Sequence, residues 1–246
     1  MKLSDFPPVT LPKRVRNCPI IEAVLEVRFE TSFDHDAVYG SVYSIVKSDW
    51  AKGDKLPITE IPHFMRDADP TLKFSPHYRL TKDNLLLQIG PAVISIVSRS
   101  PYVGSETLFQ EFNTVFDKLS KTDIFQRFVR VGVRYIDLFD NNIFDGLQCN
   151  FALCGIPTHP QRTHIRTTIE GKDGFNLTLQ LAGRVVTENP DQAGFVFDVD
   201  TACELKESPS IEEVKQLLRS AHIQQKQLFF SLIKPEMLAM MEPEYE

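Results

Sequence analysis

Four side chains of zinc-ligand type follow one another at a regular spacing in the second half of the chain. They are Cys149, Cys154, His159 and His164. Structural zinc sites are usually built on tight cysteine knuckles. On an extended strand residues 149 and 154 would lie on opposite faces, roughly 16 Å apart, so a shared ion would need a sharp turn of the chain after Cys154. We therefore predict no metal and no cofactor, and expect buried thiols and loop histidines at these positions. If a metal does bind, these four residues are the candidate ligands.

Asp198 and Asp200 stand two residues apart in a predicted strand, so their carboxylates share one face. Such a pair suits Mg²⁺ when phosphate groups complete the coordination. The sequence has no glycine-rich phosphate loop to accompany it. We expect the two aspartates to face solvent, or to accept hydrogen bonds from Arg184 or from the arginines of the strand at 128–138.

His222 lies beside Ala221 and one turn after Leu218, close to the apolar stripe of a predicted helix. A general base at this position would need an orienting acceptor and a nucleophile. The Gly-x-Ser-x-Gly motif that presents a nucleophilic serine is absent. We expect a semi-buried histidine whose hydrogen bonds are satisfied, and the alternatives are proton sensing and contact with a partner.

Arginine and glutamate alternate with apolar residues on two predicted strands. Glu22, Glu26 and Arg28 belong to the first strand, and Arg130 and Arg134 belong to the second. If the two strands are antiparallel neighbours, these side chains form a cross-strand ion ladder. Exposed pairs contribute at most about 1 kcal/mol each, whereas buried pairs are costly unless they are fully hydrogen-bonded. The alternative is a pair of arginines that binds a carboxylate or phosphate through two parallel hydrogen bonds.

Three methionines near the C-terminus, Met237, Met240 and Met241, form an adaptable apolar tail. Glutamates alternate with other residues after them and make the tip acidic. The tail is predicted to dock on the protein's own sheet, on a second subunit or on a client protein.

The elements that must position these residues follow from the periodicity of the apolar side chains. Residues 20–138 alternate between patterns of period two and period 3.6 in the order β-α-β-β-α-β, which is the order of a ferredoxin-like fold. In that fold the first and last strands are central antiparallel neighbours. Ser105 is the predicted N-cap of the second helix, whose apolar stripe runs to Leu119.

The second half of the chain has the pattern of an antiparallel sheet followed by a long helix. The predicted strands are Leu147–Leu153, Thr163–Glu170, Phe175–Ala182 and Phe195–Asp200. A hairpin turn at 171–174 joins the middle two strands. Ser210 and Glu213 form a capping box, and the helix that follows ends near Pro235.

These patterns predict an α+β protein with a ferredoxin-like N-terminal half and an antiparallel sheet plus a long C-terminal helix in the second half. The predicted parts are an irregular arm at 1–18, a ferredoxin-like α+β domain at 19–142, and a sheet with the C-terminal helix at 143–246.

Charge and composition restrict the partners. A net charge of −6 disfavours broad binding to a phosphate backbone, and the basic cluster of Lys13, Arg14 and Arg16 is predicted to be a surface arm. Neither a secretory signal nor an apolar run of about 20 residues is visible. Four scattered cysteines suit reduced thiols. The sequence therefore predicts a cytoplasmic protein that does not bind membranes and is not expected to bind nucleic acid, with a nucleic-acid module that uses the Lys13, Arg14 and Arg16 arm as the weaker alternative.

Four segments carry a family resemblance: Glu22–Phe29, Arg130–Ile136, Phe197–Asp200 and the stretch from Ala221 to Pro243. Together they resemble a sporadically distributed, functionally uncharacterised prokaryotic protein family of about this length. The resemblance implies a patchy bacterial and archaeal distribution, as for genes of defence or toxin–antitoxin islands. It implies no activity for any residue.

The sequence favours a non-enzymatic binding or regulatory protein, with a protein partner or further copies of itself as its contacts. The sheet faces and the C-terminal helix are the predicted contact surfaces. The alternative is an enzyme that acts on a phosphate-bearing small molecule. In that case the arginines Arg28, Arg130 and Arg134 would bind the anion, Asp198 and Asp200 would bind a metal, and His222 would act as acid or base.

Overall fold

The computed structural model describes residues 1–69, 72–186 and 193–245. Within these residues the fold is α+β, which confirms the predicted class. The strands are β1 (Arg14–Val15), β2 (Ile20–Glu30), β3 (Ala51–Lys55), β4 (Tyr78–Lys82), β5 (Leu85–Ile89), β6 (Val93–Arg99), β7 (Arg127–Phe139), β8 (Ala152–Leu153), β9 (Ile156–Pro157), β10 (His164–Glu170), β11 (Asn176–Val186), β12 (Ala193–Glu204) and β13 (Pro243–Glu244). The α-helices are α1 (His35–Val46), α2 (His63–Ala68), α3 (Ser105–Leu119), α4 (Ile143–Gly146), α5 (Ile211–Leu232) and α6 (Pro235–Met240).

Nine of the described strands form one antiparallel sheet. Its strand order is β10-β11-β12-β7-β2-β6-β5-β4-β3. The strands predicted for the two halves of the chain therefore belong to the same sheet. Two further pairs, β1 with β13 and β8 with β9, lie outside it.

Contacts divide the chain into two compact units. The terminal unit comprises Met1–Ile21, Val133–Ala202 and Ser220–Glu246, and the central unit comprises Glu22–Gly132 and Cys203–Arg219. The predicted domains at 19–142 and 143–246 stay predictions.

The core of the central unit forms where an alternating strand meets amphipathic helices. Ala23, Leu25, Val27 and Phe29 of β2 are fully buried, while the residues between them are partly exposed. This alternation follows from the period of two along a strand. Helix α3 buries an apolar stripe that includes Phe112 and matches the predicted spacing. Its N-cap is Gly104 rather than Ser105, since Ser105 is already the first helical residue.

The core of the terminal unit lies between strands β10 to β12 and the second half of α5. Phe197 of β12 is fully buried and meets the ring of Phe229 edge to face. Strands β10 and β11 form the predicted hairpin, with Glu170 opposite Asn176. Asp173 and Gly174, both with positive φ, are the central residues of a β-turn that the Phe175 N–H closes by donating to the carbonyl of Lys172 at 3.0 Å.

The predicted strand Leu147–Leu153 is wrong except at its end. Leu147 forms only an isolated bridge to Ile233 after helix α5, and Ala152–Leu153 forms the short strand β8. The intervening residues pack on the apolar cluster of the terminal unit through Cys149 and Phe151. The strand ends where Cys154 and Gly155 take positive φ angles and turn the chain into β9.

The predicted capping box at the start of α5 is confirmed. The backbone N–H of Ser210 donates to Glu213 at 2.7 Å, and the backbone N–H of Glu213 donates to the Ser210 hydroxyl at 3.3 Å. The helix ends at Leu232, and Pro235 occupies the first turn of α6. Proline is tolerated there because the first N–H groups of a helix have no intrahelical partner.

Candidate functional site

Arg134 of β7 and Asp198 of β12 form a bidentate ion pair in the terminal unit. Arg134 donates from Nε to Oδ1 at 2.8 Å and from Nη2 to Oδ2 at 2.6 Å. Gln180 of β11 donates from Nε2 to Oδ2 at 3.0 Å. The side chain of Asp198 is 6% exposed, whereas that of Arg134 is 43% exposed. The carboxylate therefore fixes a guanidinium that still reaches solvent.

This geometry determines what the Arg134 side chain can bind. A guanidinium fork that holds a carboxylate through two parallel donors has the planar geometry that also fits a phosphate. Asp200 lies two residues further along β12 and is partly exposed, opposite Thr178 of β11. The two aspartates thus occupy the same strand as predicted, and Asp198 holds the arginine.

A second ion cluster lies in the central unit around Glu26 of β2. Oε1 of Glu26 accepts from Arg28 Nε at 2.8 Å and from Arg130 Nη1 at 2.5 Å. Arg130 Nε lies 3.6 Å from Glu204, and the Arg28 guanidinium lies 4.8 Å from the ring centroid of Phe74. The Arg130 and Glu26 side chains are 12% and 21% exposed, so this pair is largely shielded from water. The predicted cross-strand ion ladder is confirmed at Glu26 and Arg130.

His222 lies away from the Arg134–Asp198 pair. Its ring packs against that of Tyr135, with 5.4 Å between the centroids. Tyr135 follows Arg134 directly on β7, and successive side chains of a strand point to opposite faces. The structure therefore brings Arg134 and Asp198 together and places His222 on the other side of the strand.

The Cys/His series does not form a ligand set in the part of the chain that the structure describes. Cys149 packs against the apolar cluster of the terminal unit, and burial raises the pKa of its thiol. Cys154 is exposed at the turn between β8 and β9, and His164 is exposed at the start of β10. Among the described residues, no three His, Cys, Asp or Glu side chains, including His159, are grouped so that they could hold a metal ion.

The methionine tail is divided between core and surface. Met237 and Met241 are buried in the apolar cluster of the terminal unit. Met240 is 61% exposed. The tail was predicted to dock on the protein's own sheet, on a second subunit or on a client protein. Met237 and Met241 lie in the protein's own core.

Sequence reasoning missed the carboxyl group of Asp137. This residue of β7 is 2% exposed. Burial raises its pKa well above the ordinary value, and the nearby charge of Asp198 adds to the effect. The signal was available, because Asp137 continues the buried series of Val133 and Tyr135 at the period of two.

The partner of the basic arm was also missed. Glu244 accepts hydrogen bonds from Nε of both Arg14 and Arg16, the latter at 2.6 Å. These hydrogen bonds lower the pKa of Glu244 to about 2, with Arg14 as the largest cause. The alternation of basic residues at one end of the chain and acidic residues at the other was the only sequence signal for this contact.

Two further surface features lie apart from the ion clusters. In the terminal unit, Leu153 and Ile156 at the β8–β9 turn are 74% and 70% exposed. In the central unit, an open cleft of about 650 Å³ is lined by Phe33, Asp34, His35, Ala37 and His63. The rings of its two histidines lie 5.9 Å apart.

None of the helices in the described ranges is long and apolar enough to cross a membrane. No protein-family model matches the chain, and no curated protein matches it.

Proposed function

We propose that this chain is a non-enzymatic binding or regulatory protein that acts in an assembly with a protein partner or with further copies of itself. The arrangement of its candidate chemical groups supports this function. Asp198 holds the guanidinium fork of Arg134, and His222 lies on the other side of β7. A catalytic site needs an anion clamp, a base and a reacting group around one point, and these candidates are arranged as structural pairs.

The proposed setting is the cytoplasm of a prokaryote, where the protein would be an accessory component of a defence or toxin–antitoxin type system. The family resemblance of the β2, β7 and β12 segments supports this setting. None of the four cysteines forms a disulfide bond, which suits a reducing compartment.

We also propose that the central strands have a ferredoxin-like arrangement. The neighbour order β7-β2-β6-β5 supports it. If β2, β5, β6 and β7 are the first to fourth strands of that fold, they lie in the sheet in the order fourth, first, third, second, as a ferredoxin-like sheet requires. In this proposal α1 and α3 are the two crossover helices, and β3, α2 and β4 are an insertion after α1.

The test is affinity capture of the tagged full chain from its native host, followed by native mass spectrometry of the eluted particle. We expect a stoichiometric protein partner or a homo-oligomer with no retained nucleotide or metal. The variant Met240→Ser should reduce the yield of the partner because Met240 is the exposed methionine of the tail. Met65→Ser, which changes an exposed methionine of α2, is the matched control. A single chain that retains a nucleotide or a metal would overturn the proposal.

The second candidate function is an enzyme that acts on a phosphate-bearing small molecule. The position of Arg134 favours it. The side chain of Arg134 is 43% exposed, and its guanidinium holds a carboxylate in the planar geometry that a phosphate also fits. Isothermal titration with inorganic phosphate and with ADP separates the two functions. If the protein is an enzyme of this kind, it should bind phosphate or ADP, and the binding should be lost in Arg134→Gln and kept in Arg166→Gln. If it is a non-enzymatic binding protein, neither compound should produce a heat of binding.

A further inference from the structure

The basic arm and the C-terminal tail form a small sheet at the surface of the terminal unit. Strand β1 pairs antiparallel with β13, with Arg14 opposite Glu244. The backbone N–H of Lys13 donates to the carbonyl of Glu244 at 2.7 Å. The N–H groups of Arg16 and Asn17 donate to the carbonyls of Glu242 and Met241, both at 3.2 Å. The arm and the tail thus form a separate two-stranded sheet through backbone hydrogen bonds, the kind of pairing by which an extended peptide is bound as an added strand.

Side chains of the arm select acidic residues within that strand. Arg14 and Arg16 both donate to the carboxylate of Glu244. Arg16 Nη1 also lies 3.9 Å from the carboxylate of Glu242, and Asn17 Nδ2 donates to the carbonyl of Met240 at 2.8 Å. Backbone pairing gives affinity for any extended segment, and the two guanidinium groups restrict it to acidic ones.

The tail is attached in a way that allows it to be replaced. The Arg14 and Arg16 side chains are 71% and 66% exposed, and exposed ion pairs are individually weak. Glu242 has a positive φ of 50° and connects the buried Met241 to strand β13. The anchored part of the tail therefore ends at Met241, and only the residues after it would have to leave the arm.

We propose that the arm, residues 13–17, is a binding site for an acidic extended segment of a partner protein, and that the tail at 242–245 occupies this site until the partner displaces it. The proposal rests on the binding function proposed above and names the partner's chemistry: an extended segment with glutamates at alternate positions. Because the tail is tethered, its effective concentration at the arm is of the millimolar order typical of short linkers. The partner must compete against it.

The experiment measures binding of a fluorescent peptide with the sequence of residues 240–245 to the full chain by anisotropy. Replacing both tail acids, Glu242→Gln with Glu244→Gln, weakens the internal competitor. This variant should bind the peptide about tenfold more tightly than the wild-type chain, since the three ion pairs between the tail and the arm are removed. Adding Arg14→Gln and Arg16→Gln should abolish the gain. Glu236→Gln, which changes an exposed acid in α6, should behave as the wild type.

Trypsin cleavage of the arm gives a second readout that does not depend on the peptide. Cleavage after Arg14 and Arg16 should be faster in the Glu242→Gln, Glu244→Gln variant and slower again when the peptide is added. A folded variant with an accelerated arm cleavage but no peptide binding would overturn the proposal. So would equal binding by the variant that lacks both arginines. Either result leaves the wider binding function intact, because capture of a partner from the host tests that function separately.

Discussion

Asp137 places a carboxyl group on the buried side of β7, where its charged form is poorly solvated. Burial is the main cause of its raised pKa, and the charge of Asp198 is the second cause. Between the unfolded and folded pKa values the folded chain binds more protons than the unfolded chain. The free energy of unfolding contributed by this group is therefore fully present below the unfolded pKa and is lost as pH rises through the folded pKa.

The variant Asp137→Asn should remove this loss because an amide does not titrate. We expect the wild-type chain to lose stability relative to Asp137→Asn between about pH 5 and about pH 8. Urea unfolding of both chains at the two pH values measures the difference. Asp140→Asn, at an exposed position just after β7, is the control and should follow the wild type. Parallel pH profiles of wild type and Asp137→Asn would contradict the assignment.

The Glu26–Arg130 pair should contribute more to stability than an exposed ion pair of the same sheet. Removing one partner leaves a shielded charge without its hydrogen bond, so we expect Arg130→Ala to cost about 2 kcal/mol, between the values for exposed and fully buried pairs. A double-mutant cycle with Glu26→Gln, followed by urea unfolding, isolates the pairwise energy.

Arg127 provides the matched control for that cycle. Its Nε lies 4.0 Å from Glu30, and both side chains are about half exposed. Arg127→Ala should therefore cost less than about 0.5 kcal/mol. Equal effects of the Arg127 and Arg130 substitutions would show that shielding does not strengthen the Glu26 cluster.

The sequence predicted the residues of the ion clusters better than it predicted their partners. Glu26 and Arg130 were predicted to meet because each alternates with apolar residues on strands that were expected to be neighbours. Several acidic residues could have paired with Arg134. Its pairing with Asp198 depends on the register between β7 and β12, which are neighbours in the sheet but have four strands, β8 to β11, between them along the chain. His222 was grouped with these residues because a helical stripe gives no information on which side of a sheet the helix lies.

At the scale of the elements, the β10–β11 hairpin depends on a glycine whose backbone conformation is unfavourable for most other residues. Gly174 has a φ of 80°, a conformation that costs an L-amino acid roughly 1–2 kcal/mol. We expect Gly174→Ala to lower the free energy of unfolding by about 1 kcal/mol, as measured by urea unfolding. Asp173→Asn is the control, because asparagine tolerates the positive φ of that position. An unchanged midpoint for Gly174→Ala would mean that the turn relaxes without penalty.

Elements with a long, regular period were predictable, and those formed by a few residues were not. The stripe of α3 and the alternation of β2 extend over enough residues to define their period. The segment from Leu147 to Leu153 is apolar, but its partners are Ile233 and the end of α5, far away in the sequence. The same holds for β1 and β13, which are two residues long and exist because they pair with each other.

At the scale of the whole molecule, the two units are built from interleaved segments of the chain. Three segments form the terminal unit and two form the central unit. Strand β7 begins in the central unit and ends in the terminal unit, and helix α5 does the same. We therefore expect that neither unit unfolds alone.

Chemical denaturation tests this expectation with two probes. Trp50 is the single tryptophan and is buried in the central unit, whereas far-ultraviolet circular dichroism reports on both units. The fluorescence and dichroism transitions in urea should coincide, as for a two-state protein. Separate transitions would contradict this expectation and would indicate that the two units unfold independently.

Interleaving also sets the order of events during synthesis. The first 21 residues belong to a unit whose last segment begins at Ser220, and the central unit needs residues 203–219. A ribosome delivers the chain from its N-terminus, so the opening arm leaves the exit tunnel long before the helix and tail that complete its unit. Chains that can finish one domain before the next emerges are protected from misassembly as they grow. In this protein the segment Met1–Ile21 instead stays without the rest of its unit until the residues from Ser220 onward have been translated.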